Sequence, residues 1–206
     1  MTYSASAGVR VPCPRCDSER QRVIEGDFDE ARRTLRAIEP ADHASLVYDS
    51  ADAVAPFCAR FLTDGIDAGQ RVVAGVQEDL RQAVTPLLAP DAELAVEWED
   101  PRLIYGDFDP DRVAGRYEAI ISSDERETRI LAGLDAETAK SVDPADFASY
   151  ETKAHEIITS HGATVVCLFD ERVVPPALLE VSSLRHGLTV EGGAARRNER
   201  FEYESA

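Results

Sequence analysis

Ser45-Leu46-Val47-Tyr48, followed by Asp49-Ser50 and then by Val54, Phe57, Cys58, Phe61, Leu62 and Ile66, sets the pattern on which the rest of the chain is built. The first four residues form a short, largely apolar run that suits a strand buried on both faces. Asp49-Ser50 supplies side-chain oxygens for a helix N-cap, and the apolar positions after it recur at helical spacing until Gly69 stops them. One strand and one helix are therefore legible in about 25 residues.

The same alternation continues outward. Arg71 to Val76 predicts a second strand and Glu78 to Leu88 a second helix ended by Pro90; Leu94 to Trp98 predicts a third strand. Pro110 to Ser122 carries Val113, Tyr117, Ile120 and Ile121 as a helix, and Arg129 to Leu134 is a fourth strand. Pro144 to Ser160 predicts a long helix, Thr164 to Phe169 a fifth strand, Pro175-Pro176 to Leu184 a helix, and Leu188 to Val190 a last short strand. Short apolar strands, each followed by a helix, predict a three-layer α/β fold with a mostly parallel central sheet flanked by helices.

Before this body, residues 1–41 read as an irregular N-terminal arm with one Cys-x-x-Cys (Cys13, Cys16) and a short helix from Asp27 to Ile38, its Arg32, Arg33 and Arg36 on one side. Residues 42–191 form the expected domain, and 192–206 a polar tail or edge segment with Arg196, Arg197 and Arg200.

Aspartate and glutamate outnumber lysine and arginine by 39 to 22 in 206 residues, for a net charge of −17 at pH 7. A field of that sign repels phosphate backbones and anionic lipid, so direct nucleic-acid or membrane binding is not expected. With 44% hydrophobic residues the chain can build one core without disulfide staples. No run approaches the roughly 20 apolar residues of a membrane span, and Met1 to Arg10 lacks the order of a signal peptide, so a cytoplasmic location is expected. Only Lys140 and Lys153 are lysines and only Asn198 is asparagine, a bias that suits either a GC-rich genome or a high-salt habitat.

In sheets of this type ligands bind beyond the carboxyl ends of the strands, at Asp49, Gln77 to Asp79, Asp135 and Asp170-Glu171-Arg172. Gly133 to Ser141 comes nearest to a phosphate loop. It is one residue too long, has Ala139 where glycine is needed, and turns Asp135 and Glu137 toward the would-be phosphates, so an ordinary strand-to-helix loop is the better reading. No Gly-x-Ser-x-Gly elbow is present. Cys13-Pro14-Arg15-Cys16 is half of a tetrahedral zinc site and equally an exposed or redox-active dithiol, whereas Cys58 and Cys167 suit buried thiols. His161 beside Gly162 reads as a helix C-terminal residue and His155 as a solvated or hydrogen-bonded neighbour one turn from Glu151; His43 and His186 fit a structural or a pocket role.

Taken in order, these landmarks resemble a known family. His43-Ala44-Ser45-Leu46-Val47-Tyr48-Asp49, Gly69-Gln70-Arg71-Val72-Val73, Phe108-Asp109-Pro110-Asp111-Arg112, Tyr150-Glu151, Cys167-Leu168-Phe169-Asp170 and Leu184-Arg185-His186 are similar to the motifs of the MEDS domain. That domain is the sensory module of methanogen and methylotroph regulators, including the dichloromethane-responsive repressor. The resemblance implies a RecA-like fold that has lost its phosphate loop, and sensing of small molecules such as methylated or halogenated hydrocarbons. It departs from the pattern at Phe169, where a tyrosine is usual, at His155, where asparagine is common, and at Gly187, which follows His186 in place of proline.

Three readings follow. The first is a non-catalytic cytoplasmic sensory or regulatory domain in which His43, Tyr48, Tyr150, Glu151, Cys167, Asp170 and His186 surround a small-ligand pocket, with a transcriptional or kinase protein as partner. The second is a degenerate RecA-like nucleotide-binding enzyme that uses Lys140. The third is an interaction module whose arm dimerises through zinc shared between Cys13-Cys16 pairs.

Overall fold

The computed structural model describes residues 38–191 and 194–201. A seven-stranded sheet in the order β3-β2-β4-β5-β1-β6-β7 forms the middle layer. Its strands are β1 (His43–Tyr48), β2 (Arg71–Gly75), β3 (Val96–Glu99), β4 (Thr128–Gly133), β5 (Thr164–Asp170), β6 (Leu188–Glu191) and β7 (Ala194–Arg197). All pairings are parallel except β6 with β7, which is antiparallel. The three-layer, mostly parallel architecture expected from the sequence is the observed one.

Alternation along each strand divides the core between the two faces. On one side Leu46, Tyr48, Val72, Ala74, Val166 and Leu168 pack against α1 (Ala51–Asp67), α2 (Glu78–Val84) and α3 (Pro90–Ala95). On the other, Val73, Ile130, Ala132, Val165, Cys167 and Phe169 meet the remaining helices. These are α4 (Pro101–Tyr105), α5 (Pro110–Ser122), α6 (Ala136–Ser141), α7 (Pro144–His161) and α8 (Pro176–Arg185). β5 is buried at all seven positions, as a central strand covered on both faces must be.

The helix ends follow from their side chains. Ser50, Asp109 and Asp143 accept hydrogen bonds from the first-turn amides of α1, α5 and α7. α7 ends at Gly162, whose φ of 68° is the left-handed cap conformation that glycine adopts without strain. His161 is its last residue, with Nδ1 3.0 Å from the Ile157 carbonyl oxygen, as its place beside Gly162 predicted.

Three elements were not legible. Leu94 and Ala95 end α3 instead of starting β3, because Pro90 opens a helix of its own after α2 has ended at Val84 and a 3₁₀ turn at Leu87. The short helices α4 and α6 went unseen, since five or six residues carry too little periodicity to register. Within the stretch expected as a tail or edge segment, Ala194–Arg197 form an edge strand, β7, paired to β6. Cys13, Cys16 and the helix expected from Asp27 lie outside the described residues. No helix among the described residues is long and apolar enough to cross a membrane.

Candidate functional site

The buried face of α7 is written as Phe147, Tyr150, Glu151, Ala154 and Ile158, the spacing of a core-facing helical stripe with one carboxylate in it. That carboxylate points into the sheet, where three other polar side chains meet it. His43 opens β1 and Cys167 lies in the middle of β5. In the parallel register Ser45 is opposite Cys167, so His43 reaches it diagonally, with Nε2 3.3 Å from Sγ. The fourth is His186, the residue directly after α8.

The four donor atoms all lie within 4.8 Å of one another, and all four residues are buried. Glu151 Oε2 is 3.7 Å from His43 Nε2 and 3.5 Å from His186 Nε2. The two imidazoles lie close, with ring centroids 4.1 Å apart. The backbone fixes the chemistry of His186: its Nδ1 is 2.9 Å from the Ser182 carbonyl oxygen, which can only accept, so Nδ1 carries the proton and Nε2 presents a lone pair to Glu151. His43 Nδ1, Glu151 Oε2 and His186 Nε2 are buried with no hydrogen-bond partner among the described residues.

Burial governs the charges here. It pushes the Glu151 carboxyl up to about 8 and the His186 imidazole down to about 4. It also drives His43 well below its usual value, helped by His186 and His155, and raises the Cys167 thiol well above its own, helped by Glu151. The histidine–glutamate approaches are therefore contacts between neutral groups at neutral pH, not ion pairs.

An aromatic wall adjoins the cluster. Tyr150 packs edge-on against Tyr105, Phe108 and Tyr117 at centroid distances of 5.9, 5.7 and 6.4 Å. The Tyr105 and Tyr150 hydroxyls approach to 3.4 Å. Phe169 stands edge-on between the wall and the cluster, 6.2 Å from Phe147 and 5.9 Å from His186. His155, half-buried, brings a third imidazole to 5.8 Å from His43.

Of the seven candidate pocket residues, His43, Tyr150, Glu151, Cys167 and His186 come together between the sheet and the α7–α8 layer. Tyr48 and Asp170 stand elsewhere. Tyr48 faces the opposite core, against α1. Asp170 ends β5 at the carboxyl edge, where Arg172 Nε and Nη2 donate to its two oxygens at 2.8 and 2.5 Å. Sequence reasoning missed Tyr105, Phe108 and Phe147 as wall, and Ser182 as the group that orients His186. The signal for Ser182 was its position four residues before the histidine, across the last turn of a helix.

At the carboxyl edge a separate open cleft of ≈ 530 Å³ is lined by Gln77, Glu78, Arg81, Trp98, Arg102 and Asp135, among others. Asp135 Oδ1 accepts from the amides of Glu137 and Thr138, both at 3.0 Å. A carboxylate thus occupies the helix N-terminal amides that a phosphate would need, in the stretch that comes nearest to a phosphate loop.

The family comparison agrees with this geometry. Residues 42–186 match the family described as MEDS, the methanogen/methylotroph, DcmR sensory domain, and the chain belongs to that family. Membership gives it, in coarse terms, a sensory or regulatory role. Among solved structures it is similar to one titled "Crystal structure of the RadB recombinase", with a TM-score of 0.51, 16% sequence identity and 78% of each chain covered. At that identity the likeness shows a RecA-like fold and nothing of activity. None of the curated proteins compared with the chain matches it.

Proposed function

We propose that this chain is a non-catalytic sensory domain that binds a small ligand at the buried cluster of His43, Glu151, Cys167 and His186 and signals to a transcriptional or kinase partner. The observation that carries the reading is the meeting of two unpartnered buried polar atoms, Glu151 Oε2 and His186 Nε2, beside an aromatic wall in a chain of the sensory family. A protein that buries such groups for stability alone satisfies them, because each costs about 1–3 kcal/mol when it is not hydrogen-bonded. The aromatic wall suits the apolar part of a small molecule, and the cluster suits its polar or ligating end.

A route outward exists. Asn198 Nδ2 donates to the His186 carbonyl at 2.8 Å and to the Ser183 carbonyl at 2.5 Å, and the Asn198 amide donates to the Gly187 carbonyl at 3.0 Å. A shift of His186 therefore loads the end of β7, where Arg196 and Arg197 are exposed on a chain of net charge −17. That concentration of positive charge supports an acidic protein surface as the partner, in the cytoplasm.

Native mass spectrometry beside the denatured mass tests the ligand, followed by thermal-shift measurements with methanol and dichloromethane as probes. A retained organic adduct, or stabilisation by a probe that Glu151→Gln removes, supports the reading. A bare mass together with no response to either probe overturns the ligand assignment, and turnover of ATP or GTP overturns the non-catalytic one.

A further inference from the structure

The four buried donors have the spacing of a metal coordination shell. In a tetrahedral Zn²⁺ site with bonds to nitrogen and oxygen near 2.0–2.1 Å and to sulfur near 2.3 Å, neighbouring donor atoms are about 3.3–3.6 Å apart. Three approaches here, His43 Nε2 to Cys167 Sγ at 3.3 Å, His186 Nε2 to Glu151 Oε2 at 3.5 Å and His43 Nε2 to Glu151 Oε2 at 3.7 Å, lie inside that interval or within about 0.1 Å of it. Direct hydrogen bonds between nitrogen and oxygen would have drawn the last two pairs closer, to about 2.7–3.2 Å.

Proton counting leads to the same place. His186 spends its one N–H on the Ser182 carbonyl, so its Nε2 can only accept. Glu151 Oε2 faces that lone pair and the ring of His43 at once, and a single proton on the carboxyl serves at most one of them. A cation at the centre satisfies all four donors together. Ser182 then plays the part of the outer partner that holds a ligating histidine in its tautomer and orientation.

We infer that His43, Glu151, Cys167 and His186 form a tetrahedral binding site for one divalent transition-metal ion of the zinc type. Two imidazoles, one thiolate and one carboxylate are a borderline donor set that favours Zn²⁺ and Co²⁺ over Mg²⁺ or Ca²⁺, which take oxygen ligands. The four ligands come from β1, α7, β5 and the end of α8, so the ion would join the sheet to both helices of the outer layer. The inference uses the residues of the sensory reading but does not depend on it, since a metal can be resident whether or not an organic ligand binds.

The test uses the full chain, stripped with a chelator and titrated with Co²⁺, with a second series in the Cys13→Ser/Cys16→Ser background to remove the other candidate thiolates. The expected result in that background is one equivalent of Co²⁺ with the visible absorption of a tetrahedral ion and a thiolate charge-transfer band in the near ultraviolet. Cys58 lies in the core on the opposite face of the sheet and cannot supply that band. Cys167→Ser removes the charge-transfer band, and Glu151→Gln lowers the affinity by at least tenfold while circular dichroism stays native. No bound equivalent in the Cys13→Ser/Cys16→Ser protein, or a charge-transfer band unchanged by Cys167→Ser, overturns the site. Should Cys167→Ser fail to fold, the stoichiometry in the Cys13→Ser/Cys16→Ser background and the Glu151→Gln titration decide it. A metal titration that fails while an organic adduct is retained rejects the ion and leaves the sensory reading standing.

Discussion

Glu151 Oε2 stands 3.5 Å from His186 Nε2, and His186 already donates its only N–H, on Nδ1, to the Ser182 carbonyl oxygen. An ionised Glu151 would thus set an acceptor against an acceptor in a fully buried place. In the metal-free protein the arrangement persists because burial keeps the carboxyl protonated up to about pH 8.

That protonation makes stability depend on pH with a definite sign. The folded Glu151 carboxyl holds its proton up to about 8 against the ordinary 4.5 of a solvated glutamate, so its contribution is complete below about pH 4.5 and lost as pH rises through 8. His186, depressed from 6.5 to about 4, contributes the opposite way: its share is complete above 6.5 and lost as pH falls toward 4. His43 is depressed in the same direction. Between pH 6.5 and 8 the Glu151 term therefore dominates this cluster. Chelated protein should lose stability steadily across that window in urea unfolding, and Glu151→Gln should flatten the slope; an unchanged slope in the variant would refute the assignment.

Replacing the carboxyl by an apolar side chain of similar length separates stability from function. Glu151→Met should stabilise the metal-free protein by about 1–3 kcal/mol, the cost of a buried polar group without a partner. The same variant should lose the metal response altogether. Thermal unfolding with and without Zn²⁺ reads both, and a destabilised Glu151→Met would mean that the carboxyl is satisfied in solution.

Gly65 lets α1 approach the sheet. A Cβ there would lie 2.6 Å from Arg129 Cδ and 2.9 Å from Val72 Cγ2. The arginine could move, though it would give up its 4.6 Å placement over the Phe61 ring and its 2.7 Å bond to Gln70. The valine is held in β2 and cannot. Gly65→Ala should cost about 1–3 kcal/mol by overpacking, despite alanine's better helix propensity, as measured by chemical denaturation.

Much of this fold could be read from strings such as Thr164 to Phe169, because a strand buried on both faces needs a continuous apolar run and little else in the chain offers one. The site was partly legible. Tyr150-Glu151 and Cys167 came from a family resemblance, His43 and His186 also from their places beside a strand and a helix end, and no rule of spacing would have joined residues 43, 151, 167 and 186, which only the β1–β5 register and the docking of α7 bring together. Tyr48 and Asp170 entered the candidate list through the same motifs. They fall away from the cluster because strand alternation turns Tyr48 to the opposite face and Arg172 claims Asp170.

Asp135 caps α6 through two amides and also receives the Thr138 hydroxyl at 2.5 Å. Asp135→Ala should destabilise the protein by about 1 kcal/mol, the usual worth of such a cap, with little change at the buried cluster. Denaturation midpoints and the Co²⁺ spectrum of the variant check the two halves of that expectation.

The Asn198 clasp is testable on its own. Asn198→Ala should speed amide exchange in residues 194–201 severalfold while leaving β5 protected, read by hydrogen exchange followed by mass spectrometry. Equal exchange in variant and parent would show that the strand pairing alone holds β7.

His186 is thus gripped at both ends, its ring by Ser182 within the protein and its carbonyl by Asn198 at the rim. A residue held this way works like the pivot of a balance, with occupancy weighing on one arm and the arginine-bearing hairpin riding on the other. On the sensory reading proposed above, such a device would need no domain closure and would consume no fuel. It would reset whenever the occupant left, and the lifetime of the signal would be the residence time of whatever the site holds.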